Sequence, residues 1–121
     1  MQSNLVEVVL YVRGMQAQVE FYRDVLELPV KYPLNCADYS REYRVTFDTG
    51  ACVLALQSGG ARRIGENIPK LVFAVEDVRA ARNRLLDHGA QVGPIRQIEL
   101  TTLVCDGVDP EGNPFSIECR E

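Results

Sequence analysis

Nowhere does the chain run about 18 apolar residues without interruption, so no segment reads as a helix long enough to span a bilayer. Its start, Met1-Gln2-Ser3-Asn4, lacks both a basic stretch and a hydrophobic one, so no export signal is read and a cytoplasmic location is expected. The four cysteines, Cys36, Cys52, Cys105 and Cys119, contain no C-x-x-C pair, the close spacing that zinc sites use; reduced, partly buried thiols are expected. Histidine occurs once. His88 follows Leu85-Leu86-Asp87 and precedes Gly89, where a helix ends, and this suits a capping role better than catalysis. Convergent positive charge is missing too. Apart from Arg62-Arg63 and the run Arg79, Arg82 and Arg84, basic residues are scattered, and the formal net charge is -4. Phosphate neutralisation needs several converging cations, so a nucleic-acid partner is not expected.

What is present is repetition. An alternating apolar run, Leu5 to Val12, is followed by a helical pattern and further strand-like runs, and the same order restarts at Lys70-Leu71-Val72-Phe73-Ala74-Val75-Glu76. Neither half alone buries much surface, whereas two halves facing each other would enclose a cavity. With 121 residues, 46% of them hydrophobic and 25% charged, one soluble domain is expected.

In the first copy, Val6, Val8, Leu10 and Val12 share one face of a strand, with Glu7, Val9, Tyr11 and Arg13 on the other. A helix from about Met15 to Glu27 carries the stripe Met15, Val19, Tyr22, Val25 and Leu26, and Leu28-Pro29 ends it. A short strand at Val30-Lys31-Tyr32, a polar loop from Pro33 to Arg41, and a hairpin from Tyr43 to Gln57 complete the module, about residues 1–57. Residues 58–69 read as a linker. In the second copy, about residues 70–121, Asp77 is a plausible N-cap for a helix from Val78 to about His88. Strands follow near Val92 to Ile98, Thr101 to Val108 and Asn113 to Cys119, with a turn at Asp109-Pro110-Glu111-Gly112. The order is βαβββ, twice: an α+β chain whose tandem modules form a curved mixed sheet around a cavity, helices outside.

The run Val12-Arg13-Gly14-Met15 leading to Glu20-Phe21-Tyr22-Arg23-Asp24-Val25-Leu26, together with Asp109-Pro110-Glu111-Gly112-Asn113-Pro114-Phe115, resembles the glyoxalase, bleomycin-resistance and extradiol-dioxygenase superfamily, the vicinal oxygen chelate fold. The resemblance covers nearly the whole chain. It implies a divalent metal held by His, Gln or Glu side chains from the first and last strands of each module, and a homodimer. Carried over, those places fall on Glu7, Ala55, Lys70 and Ser116. Only Glu7 is a good ligand; an ammonium at Lys70 repels a cation and offers no lone pair at pH 7. The expectation is therefore no metal cofactor, with Glu7 and Glu118 as a weak alternative pair, since Glu118 lies two residues beyond Ser116 on one side of its strand.

Alternation also lists the residues that would line the cavity. A tight turn at Thr49-Gly50 pairs Asp48 with Ala51, Arg44 with Ala55 and Thr46 with Val53; a loop over Asp109 to Gly112 pairs Cys105 with Ser116 and Leu103 with Glu118. Either turn has room to slip by one. The ligand-binding set so read is Glu7, Tyr11, Arg44, Lys70, Cys105, Ser116 and Glu118, with Val9, Val53, Val72 and Leu103 as apolar wall. Glu7 and Lys70 either engage a ligand or pair with each other. Cys105 near Lys70 would gain thiolate character, but no histidine stands ready as its base, so a packed, inert thiol is preferred. For Tyr32, Tyr39 and Tyr43, lid and core readings are both open. The favoured function is metal-free small-molecule binding; the alternative is a divalent-metal-dependent lyase, isomerase or dioxygenase. In a metal-free enzyme, Glu7 would act as base and Lys70 would steady an oxyanion.

Overall fold

A computed structural model describes residues 1–59 and 69–120, so most of the expected linker, residues 60–68, lies outside the described residues. The chain divides into two compact units, Met1–Arg63 and Ile64–Glu121. The first holds β1 (Glu7–Tyr11), α1 (Met15–Glu20), β2 (Val30–Tyr32), β3 (Arg44–Asp48) and β4 (Val53–Gln57); the second holds β5 (Leu71–Ala74), α2 (Val78–Asp87), β6 (Gln91–Ile98), β7 (Thr102–Val108) and β8 (Pro114–Arg120). This is the expected α+β order, βαβββ twice. Each unit builds a four-stranded mixed sheet in the same spatial order, β1-β4-β3-β2 and β5-β8-β7-β6. The first strand of each module runs parallel to its last, and the remaining neighbours are antiparallel.

Alternation sorts the first sheet into two faces. Leu10, Val45, Phe47, Leu54 and Leu56 are buried together with Met15, Val19 and Tyr22 of the helical segment, and the Tyr22 ring lies 6.2 Å from that of Phe47. Val6, expected to join this face, precedes the strand and is exposed. The helix also departs from plan. After Glu20 it widens into a π-type turn over Phe21–Val25, where the Leu26 amide donates to the Phe21 carbonyl five residues back at 3.0 Å. One extra residue per turn lets the adjacent Phe21 and Tyr22 both enter the core, edge to face at 5.3 Å, while Val25 and Leu26 remain only half-buried. Tyr39, from the long loop, is also buried; its amide donates to Gln16 Oε1 at 2.7 Å and its ring lies under the Arg23 guanidinium.

In the second unit the Asp77 side chain accepts from the amides of Arg79 and Ala80 at 2.9 and 3.2 Å, the N-cap that its position suggests. At the other end His88 is the C-cap and Gly89 takes φ 78°, so that the amides of Gly89 and Ala90 reach the carbonyls of Leu86 and Leu85.

Both hairpins differ from the sequence reading, with opposite consequences. In the first, the turn residues are Gly50 and Ala51, and Thr49 faces Cys52: the Thr49 amide and Oγ1 both donate to the Cys52 carbonyl, at 3.2 and 2.6 Å. Gly50 carries φ 88°, as the leading position of a type II′ turn requires. Moving a two-residue turn by one position shifts the register by two, so Arg44 faces Gln57 instead of Ala55 and Thr46 faces Ala55, while every side chain keeps its face.

In the second hairpin, Asp109 faces Asn113 across the three residues Pro110, Glu111 and Gly112, with Gly112 at φ 84°. The buried Asp109 carboxylate fixes this closure. It accepts from the amides of Glu111 and Asn113, both at 2.9 Å, and from Asn113 Nδ2 at 2.8 Å. A loop of odd length shifts the register by one and turns β7 over relative to the reading: Cys105 faces Ile117 and Asp106 faces Ser116.

Asp77→Ala is expected to lower unfolding free energy by about 1 kcal/mol, the usual worth of an N-cap. Asp109→Ala, which leaves buried donors without an acceptor, should cost more, about 2–4 kcal/mol. Urea denaturation of both variants checks the order; equal losses would mean that Asp109 does not fix the loop.

Candidate functional site

The polar face of the first sheet carries Glu7, Val9 and Tyr11 from β1, Val53, Ala55 and Gln57 from β4, and Arg44 and Thr46 from β3. Glu7 and Arg44 meet there as an ion pair through Oε1 and Nη2. Arg44 Nη1 also approaches Gln57 Oε1 at 3.4 Å, and Gln57 Nε2 donates to the Tyr43 hydroxyl at 3.1 Å. Four side chains thus form one chain of polar contacts from the edge strand to the hairpin. Tyr11, in register with Gln57, is 54% exposed, whereas Ala55 is fully buried. Of the three tyrosines left open between lid and core, Tyr39 is core; Tyr32 and Tyr43 are exposed.

The polar face of the second sheet is organised around a residue that the sequence reading did not select. Asp106 receives the Ser116 hydroxyl on Oδ1 at 2.5 Å and the Arg96 guanidinium on Oδ2, from Nη2 at 2.8 Å and from Nε at 3.2 Å. Lys70 Nζ stands 3.6 Å from Oδ1. Ser116 is fully buried, while the three charged side chains are each about half exposed. The Ser116 hydrogen bond holds the Asp106 carboxyl below its ordinary range; Arg96 and then Lys70 add to this, and partial desolvation works the other way. Glu118 shares the Ser116 side of β8, in register with Val104 and Ala74. Val72, opposite Ser116, is 51% exposed.

Among the proposed ligand-binding residues, the first module therefore joins Glu7 to Arg44, with Tyr11 on the same face, and the second joins Lys70 to Ser116 through Asp106. Cys105 does not belong to that group. Carried to the opposite face, it is fully buried beside Ile117, and its thiol donates to the Gly93 carbonyl at 3.4 Å. Burial pushes its pKa up, which outweighs the nearby Arg82 and suppresses the thiolate. Leu103, expected in the lining, moves with it and faces Cys119. Glu7 and Lys70 each have an ion-pair partner within their own module, so the partners are Arg44 and Asp106. Asp106 and Arg96 were missed through the register of β7. The spacing of Asp109 and Asn113 around a Pro-Glu-Gly loop was the available signal.

The four positions at which the resemblance implies metal ligands do not fit a divalent ion. Glu7 contributes a carboxylate already engaged by Arg44, Ala55 has no side-chain donor atom, Lys70 is an ammonium, and Ser116 offers only a neutral hydroxyl, a poor ligand beside His, Cys or carboxylate. Among the described residues no three His, Cys, Asp or Glu side chains come together as a metal-holding group.

A chain of two modules that each pair their first strand with their last belongs to a known class. Residues 7–118 match the family model of the glyoxalase-like domain, and the chain belongs to that family. Its fold is similar to that of a glyoxalase/bleomycin resistance protein/dioxygenase family enzyme from Burkholderia phytofirmans, at TM-score 0.82 and 17% identity, covering 98% of this chain and 100% of the other. A lactoylglutathione lyase from Agrobacterium tumefaciens superposes at 0.75 with 22% identity, covering 98% and 95%. A fosfomycin resistance protein from Mesorhizobium loti does so at 0.73 with 15% identity, covering 100% and 95%. At such identities the likeness is one of fold. No curated protein sequence matches the chain.

Two outcomes are expected. Because the folded-state pKa of Asp106 is depressed, its contribution to stability is present above the unfolded carboxyl value of about 3.9 and is lost as pH falls through the lower folded value. Urea midpoints measured between pH 5 and pH 2 should thus fall less steeply for Asp106→Asn than for the parent. In the native protein at neutral pH, mass mapping after iodoacetamide should find Cys105 unmodified, and modification should follow only on denaturation.

Proposed function

We propose that the protein binds small organic molecules without a metal, using the polar sheet faces that carry Glu7 and Arg44 in the first module and Lys70, Asp106 and Ser116 in the second. The observation that carries this reading is the ammonium of Lys70, secured by Asp106 at a place where the family resemblance implies a metal ligand. A cation fixed by the chain itself does two things. It disfavours a divalent ion nearby through like-charge repulsion, and it offers hydrogen-bond donors to an organic ligand. The exposed Tyr11 and Val72 supply apolar surface next to these polar groups, a combination that suits a partly planar or apolar ligand with one or two polar substituents. Binding without chemistry is in keeping with this: the Glu7 carboxylate is engaged by Arg44, and the lowered pKa of Asp106 makes it a weaker base. Family likeness supports a homodimer.

The test has two arms. Purified protein equilibrated with Ni²⁺, Zn²⁺, Mn²⁺ or Fe²⁺ and passed through gel filtration should retain no stoichiometric metal. Retention would replace this reading with that of a metal-dependent lyase, isomerase or dioxygenase. Across a compound library, hits that raise the melting temperature of the parent should lose most of their shift in Lys70→Met. A library with no hit on the parent, or with hits indifferent to Lys70→Met and Glu7→Gln alike, would overturn it.

A further inference from the structure

We infer that Lys70 and Arg96 form an oxyanion subsite on the second sheet and that Asp106 acts as its built-in competitor, so that the ligand class carries a carboxylate or phosphate-type group. The inference rests on the binding function proposed above and narrows it. Donors from separate strands converge on one small group: the ammonium of Lys70, immediately before β5, the guanidinium of Arg96 on β6 and the hydroxyl of Ser116 on β8. What they surround is a carboxylate of the chain itself. A cradle that positions a carboxylate by an ammonium, a guanidinium and a hydroxyl has the donor chemistry of an oxyanion site. The Asp106 side chain occupies it as a ligand carboxylate would.

Asp106 does not saturate that cradle. Lys70 approaches at 3.6 Å, an ion-pair distance that is long for a hydrogen bond, and Arg96 directs both Nε and Nη2 at the single oxygen Oδ2. Two cations against one carboxylate leave a local excess of one positive charge. All three side chains are about half exposed, so the excess is presented to solvent. Glu118 is the other acidic residue on this face of β8. It lies two residues beyond Ser116, and no ion pair links it to Lys70 or Arg96 among the described residues. Ser116, fully buried and donating to Oδ1, keeps Asp106 ionised and in place, so the competitor is fixed and not free to swing away. An incoming oxyanion therefore adds to the free donors of Lys70 and Arg96 beside Asp106, and binds against the repulsion of its charge.

This arrangement gives the three variants opposite signs. Inorganic phosphate and benzoate are the probes, compared with chloride at matched ionic strength and pH 7, and read by melting temperature and by two-dimensional NMR shifts of the residues around Ser116. The parent should respond saturably to phosphate or benzoate and not to chloride. Lys70→Met and Arg96→Gln should each abolish the response. Asp106→Asn, which keeps an acceptor for Ser116 and removes the charge, should tighten the apparent Kd about threefold or more, the scale of one charge at an exposed site. Circular dichroism establishes that each variant is folded; if Asp106→Asn is not, Arg96→Gln and Lys70→Met decide the matter.

An unchanged or weakened response in folded Asp106→Asn would overturn the competitor role. A response that survives both cation variants, or none in the parent, would overturn the subsite. The two readings separate cleanly. If uncharged library compounds still shift the parent in a Lys70-dependent way while both oxyanions are silent, the binding function stands and the oxyanion subsite falls. If no compound of any charge shifts the parent, the binding function itself falls.

Discussion

The second sheet depends on the carboxylate of Asp109. Buried at the tip of the last hairpin and bonded to the amides of Glu111 and Asn113, it closes a loop of three residues and thereby fixes which residue of β7 faces which residue of β8. Since side chains alternate at every step, that one closure sends Asp106 to the side of Ser116 and Lys70 and sends Cys105 into the core. A loop one residue longer would have exchanged them. The polar face would then have held a thiol beside an ammonium, with quite different chemistry, and a carboxylate would have been driven into the apolar side at a high desolvation cost.

The carboxylates of Glu7 and Asp106 meet cations of their own module. Glu7 meets Arg44 within the first module, and Asp106 meets Arg96 and Lys70 within the second. In a fold whose resemblance implies that carboxylates and imidazoles converge on a metal, guanidinium and ammonium groups here neutralise the carboxylates directly. The half-exposed setting matters: such pairs contribute little to stability when screened by water. They orient charged groups on the sheet faces.

The π-type turn after Glu20 follows a similar logic. Phe21 and Tyr22 are neighbours in sequence, and a regular helix would direct one of them away from the sheet. Widening the turn by one residue admits both, and the cost is borne by Val25 and Leu26, which stay half-buried. Periodicity alone, read at 3.6 residues per turn, selected Tyr22, Val25 and Leu26 and passed over Phe21. Local pattern and tertiary packing disagreed there, and packing prevailed because two aromatic rings bury more apolar surface than the alternatives.

The sequence by itself determined the doubled βαβββ order, the Asp77 cap, the helix end at His88-Gly89, and the face that each residue of β1, β4 and β5 takes, because these depend on neighbours along the chain or on strict alternation within a strand. It also placed Glu7, Arg44, Lys70 and Ser116 on the polar faces. What only the tertiary structure decided was the partner of each charge. Arg44 reaches Glu7 and Lys70 reaches Asp106 through strand register, and register is set by how many residues a turn consumes, a number fixed in the folded chain by side-chain hydrogen bonds at Thr49 and Asp109.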